Sequence, residues 1–88
     1  MNYRLTKHAR EEMVRRQISE SEITQVLNAP EQIVSAREGR NIYQSRISVG
    51  DPSIFYLLRI FVDVDRNPAE VVTVYRTSKI DKYWRVEI

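Results

Sequence analysis

Apolar positions change their spacing once along this chain, near residue 30. Before that point they recur at three and four residues; after it they alternate. At about 100° per residue Ala9 and Met13 point the same way, and a run free of Gly and Pro after Thr6 predicts a first helix with that stripe toward the core. Thr6 supplies the hydroxyl of an N-cap. Arg16 falls on the stripe's side, at the core edge. His8 and Glu12 lie along its rim, with Arg15 just beyond. Ser19 and Glu22 have capping-box spacing, and Ile18 with Ile23 that of a hydrophobic staple. Ile23, Val26 and Leu27 form the apolar face of a second helix, which Asn28 and Pro30 stop.

The alternating half predicts strands. Ile33 to Ala36 is the first of them, followed by a turn at Arg37-Glu38-Gly39-Arg40 in which Gly39 can take positive φ. In Asn41 to Val49, Tyr43, Ser45, Ile47 and Val49 share one face while Ile42, Gln44 and Arg46 share the other. Gly50 to Ser53 reads as a loop. From Ile54 to Val64 both faces are apolar, apart from Arg59 and Asp63, which marks a central strand covered at least partly on both sides. Asp65 to Glu70, with Asn67-Pro68, closes a hairpin, and the β-branched run Val71 to Arg76 is the last strand. Tyr3 to Leu5 is long enough for one short extra strand. In the tail from Thr77 to Ile88, Tyr83-Trp84 either covers the second sheet face or forms a hook that a partner captures.

The expected fold is therefore one α+β domain over residues 1–88, with two N-terminal helices on one face of a four-stranded antiparallel sheet. Two short helices and a tail are a meagre cover for so apolar a central strand. Part of the second face is expected to dock another chain, a second copy of this one included.

Composition narrows the classes. Eighty-eight residues suffice for a single core. The chain has no cysteine, which removes disulfides and thiolate metal sites. No stretch reads as a signal peptide. The longest apolar run, Ile54 to Val64, is far short of the ~20 residues that span a bilayer. A cytoplasmic protein without a membrane segment is expected. The net charge is only +2, but the cations gather at the two ends: Arg4, Lys7, Arg10, Arg15 and Arg16 at one, Arg76, Lys79, Lys82 and Arg85 at the other. If the ends meet, they form a basic patch suited to phosphates. The plainer reading is a solvated surface interspersed with Glu11, Glu12 and Asp81.

Leu5-Thr6-x-His8-Ala9, then Met13, then Arg16-x-Ile18-Ser19 before a helix ending in Asn-x-Pro, together resemble a family of very small bacterial proteins. That family is known as a domain of unknown function and is placed near the RelE/ParE-like toxin superfamily. The late strand Val72-Thr73-Val74-Tyr75-Arg76 fits it as well, so the likeness runs from Tyr3 to Arg76. It implies a RelE/ParE-like compact sheet with two N-terminal helices. The superfamily's better-known members are toxins that cut mRNA on the ribosome or inhibit gyrase, each restrained by an antitoxin. The implied partners are thus a cognate antitoxin and RNA or the ribosome.

Metal-independent RNA cleavage needs a base for the 2′-hydroxyl, a cation for the phosphate and an acid for the leaving oxygen. Histidine exchanges protons near neutral pH, so His8 is the candidate base or acid. Arg16 and Arg76 are candidates to grip the phosphate. Tyr75 or Lys79 would supply a proton, and Tyr43 or Tyr83 would stack on a base. Arg46, Arg59 and Lys82 complete the candidate RNA-binding set. Each has a structural rival. His8 can tie its ring to a backbone carbonyl or to Glu12. Arg16 can pair with Glu12 or Glu20. Arg59 is either half of a buried ion pair or the cationic centre of a ligand-binding face. His8 with Glu12 offers too few ligands for a stable metal site. With two glycines in the chain a phosphate-cradling loop is not expected, nor is any cofactor. Two functions remain: an RNA-acting toxin, or a non-catalytic module that binds a protein partner through an apolar sheet face.

Overall fold

In the computed structural model, which describes residues 1–86, the helical pair carries the chain from one edge of a sheet to the other. Strand β1 (Tyr3–Leu5) leads into α1 (Lys7–Arg16) and α2 (Glu20–Asn28). Strands β2 (Gln32–Arg37), β3 (Arg40–Val49), β4 (Ile54–Asp63) and β5 (Ala69–Thr77) follow, then a single-turn helix α3 (Ile80–Tyr83). The spatial order is β1-β5-β4-β3-β2. The β2 to β5 portion is an antiparallel meander, whereas β1 pairs with β5 in parallel, Leu5 opposite Val71.

This corrects the sequence expectation in two respects. The sheet is five-stranded and mixed rather than four-stranded and antiparallel. The helices are not all N-terminal, because α3 follows the last strand. Three residues at Tyr3–Leu5 are too few to register as a pattern. What holds β1 in place is non-local: the Thr6 amide donates to the Val71 carbonyl at 3.1 Å, and the Thr6 hydroxyl to the Val72 carbonyl at 3.3 Å. That same hydroxyl accepts from the Ala9 amide at 3.1 Å as the N-cap of α1. One side chain thus fastens the first helix to the last strand.

The capping box forms as its spacing requires. The Glu22 amide donates to the Ser19 hydroxyl, and the Ser19 amide to the Glu22 carboxylate. Between the helices, Gln17 closes α1 in the left-handed region at φ 55°, and the Ile18 amide reaches back to the Met13 carbonyl. The helices bury Ala9, Ile18, Ile23, Val26 and Leu27 against Leu58, Ile60, Val62, Val71 and Val74 of the sheet. Tyr43 lies in this core too. It is therefore a packing residue and not a stacking platform for a base.

A bulge decides which residues of β5 face where. Phe61 pairs with Thr73 but Val62 pairs with Val71, so Val72 is left over. Without that extra residue, Val71 and Tyr75 would share a face. With it, Val71, Val74 and Arg76 face the helices, while Thr73 and Tyr75 face away. At the β2–β3 turn, Gly39 adopts φ +81°, and an added Cβ would meet the Asp65 carboxylate. None of the described helices is long and apolar enough to cross a membrane.

Candidate functional site

The sheet face turned away from the helices carries Gln44, Arg59 and Tyr75 side by side on β3, β4 and β5, as the registers Gln44↔Arg59 and Arg59↔Tyr75 dictate. Arg59 is 7 % exposed. Its Nε donates to the Gln44 amide oxygen at 2.9 Å and its Nη1 to the Tyr75 hydroxyl at 2.6 Å. The guanidinium carbon lies 4.4 Å from the centre of the Tyr83 ring. Among the described residues no carboxylate pairs with it. Among the described residues Arg59 is thus not half of a buried ion pair. It is a buried cation held by neutral oxygens and an aromatic face, which stabilise its charge without cancelling it.

The chain's end covers this group. The Gln44 amide nitrogen donates to Gln32 at 2.8 Å and to the Tyr83 carbonyl at 3.3 Å. Gln32 in turn accepts from the Arg85 amide at 3.1 Å and donates to the Arg85 carbonyl at 2.6 Å. Tyr83-Trp84 therefore covers the second sheet face, held by polar side chains that capture its backbone. Residues 87 and 88 of the predicted tail lie outside the described residues.

A second cation reaches the group from α1. β1 pairs with β5 only as far as Val71, which leaves the outer edge of the rest of β5 to α1. There the Arg16 guanidinium lies 5.9 Å from the Tyr75 ring centre. It is 3.6 Å from Glu12, but its Nε is buried with no hydrogen-bond partner among the described residues. Lys82 lies 5.3 Å from the Tyr83 ring centre. The Lys82 ammonium beside the Tyr83 hydroxyl, helped by the Tyr75 hydroxyl and Arg59, lowers the Tyr83 pKa below the ordinary phenol value. Tyr75 and Tyr83 meet edge to face at 6.3 Å.

The structure thus brings together Arg16, Arg59, Tyr75, Lys82 and Tyr83. The other predicted residues lie elsewhere. His8 is exposed in the first turn of α1, eight residues from Arg16 and so roughly 12 Å along the helix axis. Arg76 is on the helix side of the sheet, where it donates to the Gln17 carbonyl at 3.3 Å and lies 6.0 Å from the Tyr56 ring centre. Arg46 is on the tail side but is engaged: Glu31 accepts from its Nη2 at 2.7 Å, and Trp84 lies over its guanidinium at 4.4 Å. Lys79 is exposed at the start of α3. Sequence reasoning missed Gln44 and Gln32. Their signal was a pair of amides on the face shared by Ile42 and Arg46, and it became readable only once β2 and β3 were in register.

Residues 5–76 match the model of a family described as a domain of unknown function, DUF4258. The chain belongs to that family. The DUF4258 match takes in Arg16, Gln44, Arg59 and Tyr75 but ends at residue 76, before Lys82, Tyr83 and Trp84. No curated protein and no solved structure matches the chain.

Proposed function

We propose that this DUF4258 domain is a RelE/ParE-like toxin of a toxin–antitoxin pair, acting on RNA by metal-independent cleavage at the group around Tyr75. The observation that carries the reading is the meeting of three cations with two phenols, one of them acidified. Arg16, Arg59 and Lys82 come from three different elements: Arg59 donates to the Tyr75 hydroxyl, Arg16 lies near the Tyr75 ring and Lys82 near the Tyr83 ring.

The chemistry such a group supports is attack of a ribose 2′-hydroxyl on the adjacent phosphorus, its proton passing to water, with cleavage of the bond from phosphorus to the 5′-oxygen. Arg16, whose Nε lacks a partner among the described residues, and Arg59, whose charge is not cancelled there, would bind the non-bridging oxygens as negative charge builds. A phenol with a lowered pKa is a better acid, and Tyr83 would protonate the leaving oxygen. His8 lies outside this arrangement and has no part in it.

With purified full-length protein and an mRNA under translation, Tyr83→Phe should slow cleavage by about 100-fold, the low end of what general acid catalysis contributes. His8→Ala should leave the rate within about twofold. Intact mRNA with the unsubstituted protein, together with normal growth on expression without a neighbouring antitoxin, would refute the proposal. In that case the second reading, a non-catalytic module that binds a protein, takes its place. It is favoured by Ile33 and Ile54, which are 55 % and 53 % exposed at the sheet's rim.

A further inference from the structure

On the covered sheet face, away from Tyr75, two hollows of about 470 and 390 Å³ meet at Glu31. One is lined by Trp84 and Arg85, the other by Arg46 and Phe55. Between them stands a fixed ion pair. The Glu31 carboxylate accepts from the Arg46 backbone amide at 2.7 Å, from Nε at 3.2 Å and from Nη2 at 2.7 Å. Trp84 packs on the same guanidinium. Phe55 is 62 % exposed, although its strand neighbour on that face, Leu57, is fully buried. A large aromatic ring thus stands open to solvent beside a cation–aromatic stack.

We propose that Trp84 and Phe55, on either side of the Glu31–Arg46 pair, bind nucleobases of single-stranded RNA flanking the phosphate held at Tyr75. This rests on the RNA reading above and adds a subsite to it. Both hollows fall at the low end of small-ligand pocket volumes, near what a single base with its sugar fills. Stacking on an indole or a phenyl ring tolerates any base, so it supplies affinity. The carboxylate supplies choice. Three of its approximately four lone-pair sites are taken by Arg46, and the remaining one, on Oε2, can accept from an exocyclic amino group. Cytosine and adenine carry such a group and uracil does not. Lys82 and Arg85, both exposed, flank the path toward Tyr83 and suit the connecting phosphates. Continuity comes from the chain itself, since Trp84 directly follows Tyr83, and Arg46 is two residues from Gln44 on one strand face.

Trp84 is the sole tryptophan of the chain, so its emission reports directly on the site. Oligocytidine or oligoadenosine titrated into the full chain should quench that emission, with oligouridine binding several-fold more weakly. Phe55→Ala should weaken oligocytidine binding by about five- to tenfold, the smaller part of the range for losing one stacked base. Binding is followed in parallel by anisotropy of end-labelled RNA. If labelled RNA binds, and Arg59→Lys weakens it, while Trp84 emission is unchanged and Phe55→Ala has no effect, the subsite is overturned and the Tyr75 site stands. If no labelled RNA binds, both fall.

Discussion

Arg59 shows how much one side chain can carry. Its planar fork spans two strands, with Nε on Gln44 and Nη1 on Tyr75, and its face lies against Tyr83. Lysine would keep the charge but has no fork. In Arg59→Lys the oxygen of Gln44, itself fully buried, loses its donor. An unsatisfied buried acceptor costs about 1–3 kcal/mol, so urea denaturation should register a loss of stability in that range. An unchanged midpoint would mean that the Gln44–Arg59 contact carries no weight in the fold. Arg16 is the complementary case. Its apolar position on the helical stripe placed it at the core edge, and the pairing with Glu12 was one of two rivals open on spacing alone. Its approach to Tyr75 across the strand edge was not legible, because it depends on β1 ending after three residues.

At the level of elements, the helices were readable because their determinants are local. Cap, staple and stop all lie within a dozen residues of sequence. The box at Ser19 is complete in both directions, and Ser19→Ala should destabilise the protein by about 1 kcal/mol in the same denaturation experiment. A value near zero would show that α2 is held by its packing on β3 and β4 alone. Strand β5 is the opposite case. Its composition marks it as a strand, but its facing is set by a bulge at Val72 that only pairing with β4 reveals. Strict alternation would have turned Tyr75 toward the helices and put Arg76 on the same sheet face as Arg59. The observed arrangement is the reverse, and it is why Tyr75 rather than Arg76 belongs to the candidate site.

For the molecule as a whole, ion pairs set the acid limit. Arg15 lowers the pKa of Glu12, Arg46 that of Glu31 and Arg40 that of Asp63, each chiefly through a side-chain hydrogen bond. A carboxylate whose folded pKa lies below its ordinary value adds stability above that value and loses it as pH falls through the folded one. The ordinary values are 4.5 for the two glutamates and 3.8 for Asp63, so the loss begins below about pH 5. Asp63 should contribute most, because it is shielded and held by Arg40 at both oxygens, at 2.7 and 3.2 Å. The Glu12–Arg15 pair, whose arginine is exposed, adds little against solvent screening. The thermal midpoint should therefore be level from pH 7 to 5 and fall below that. Asp63→Asn should lower it at neutral pH and flatten the acid decline, and an unaltered decline would contradict this assignment.

What the chain settles by itself is whatever its neighbours in sequence enforce: two capped helices, the strand-rich second half, the turn at Gly39, and a surplus of cations at both ends. Contacts between residues far apart settled the rest. The parallel β1, the bulge at Val72 and the polar capture of Tyr83 and Arg85 each depend on groups 39 or more residues away, or on a register that a period-2 pattern leaves free. Those three features gather Arg16, Arg59 and Tyr83 around Tyr75 and leave His8 outside. Residue types name the chemistry a chain can attempt, but only the folded arrangement decides which of them share a site.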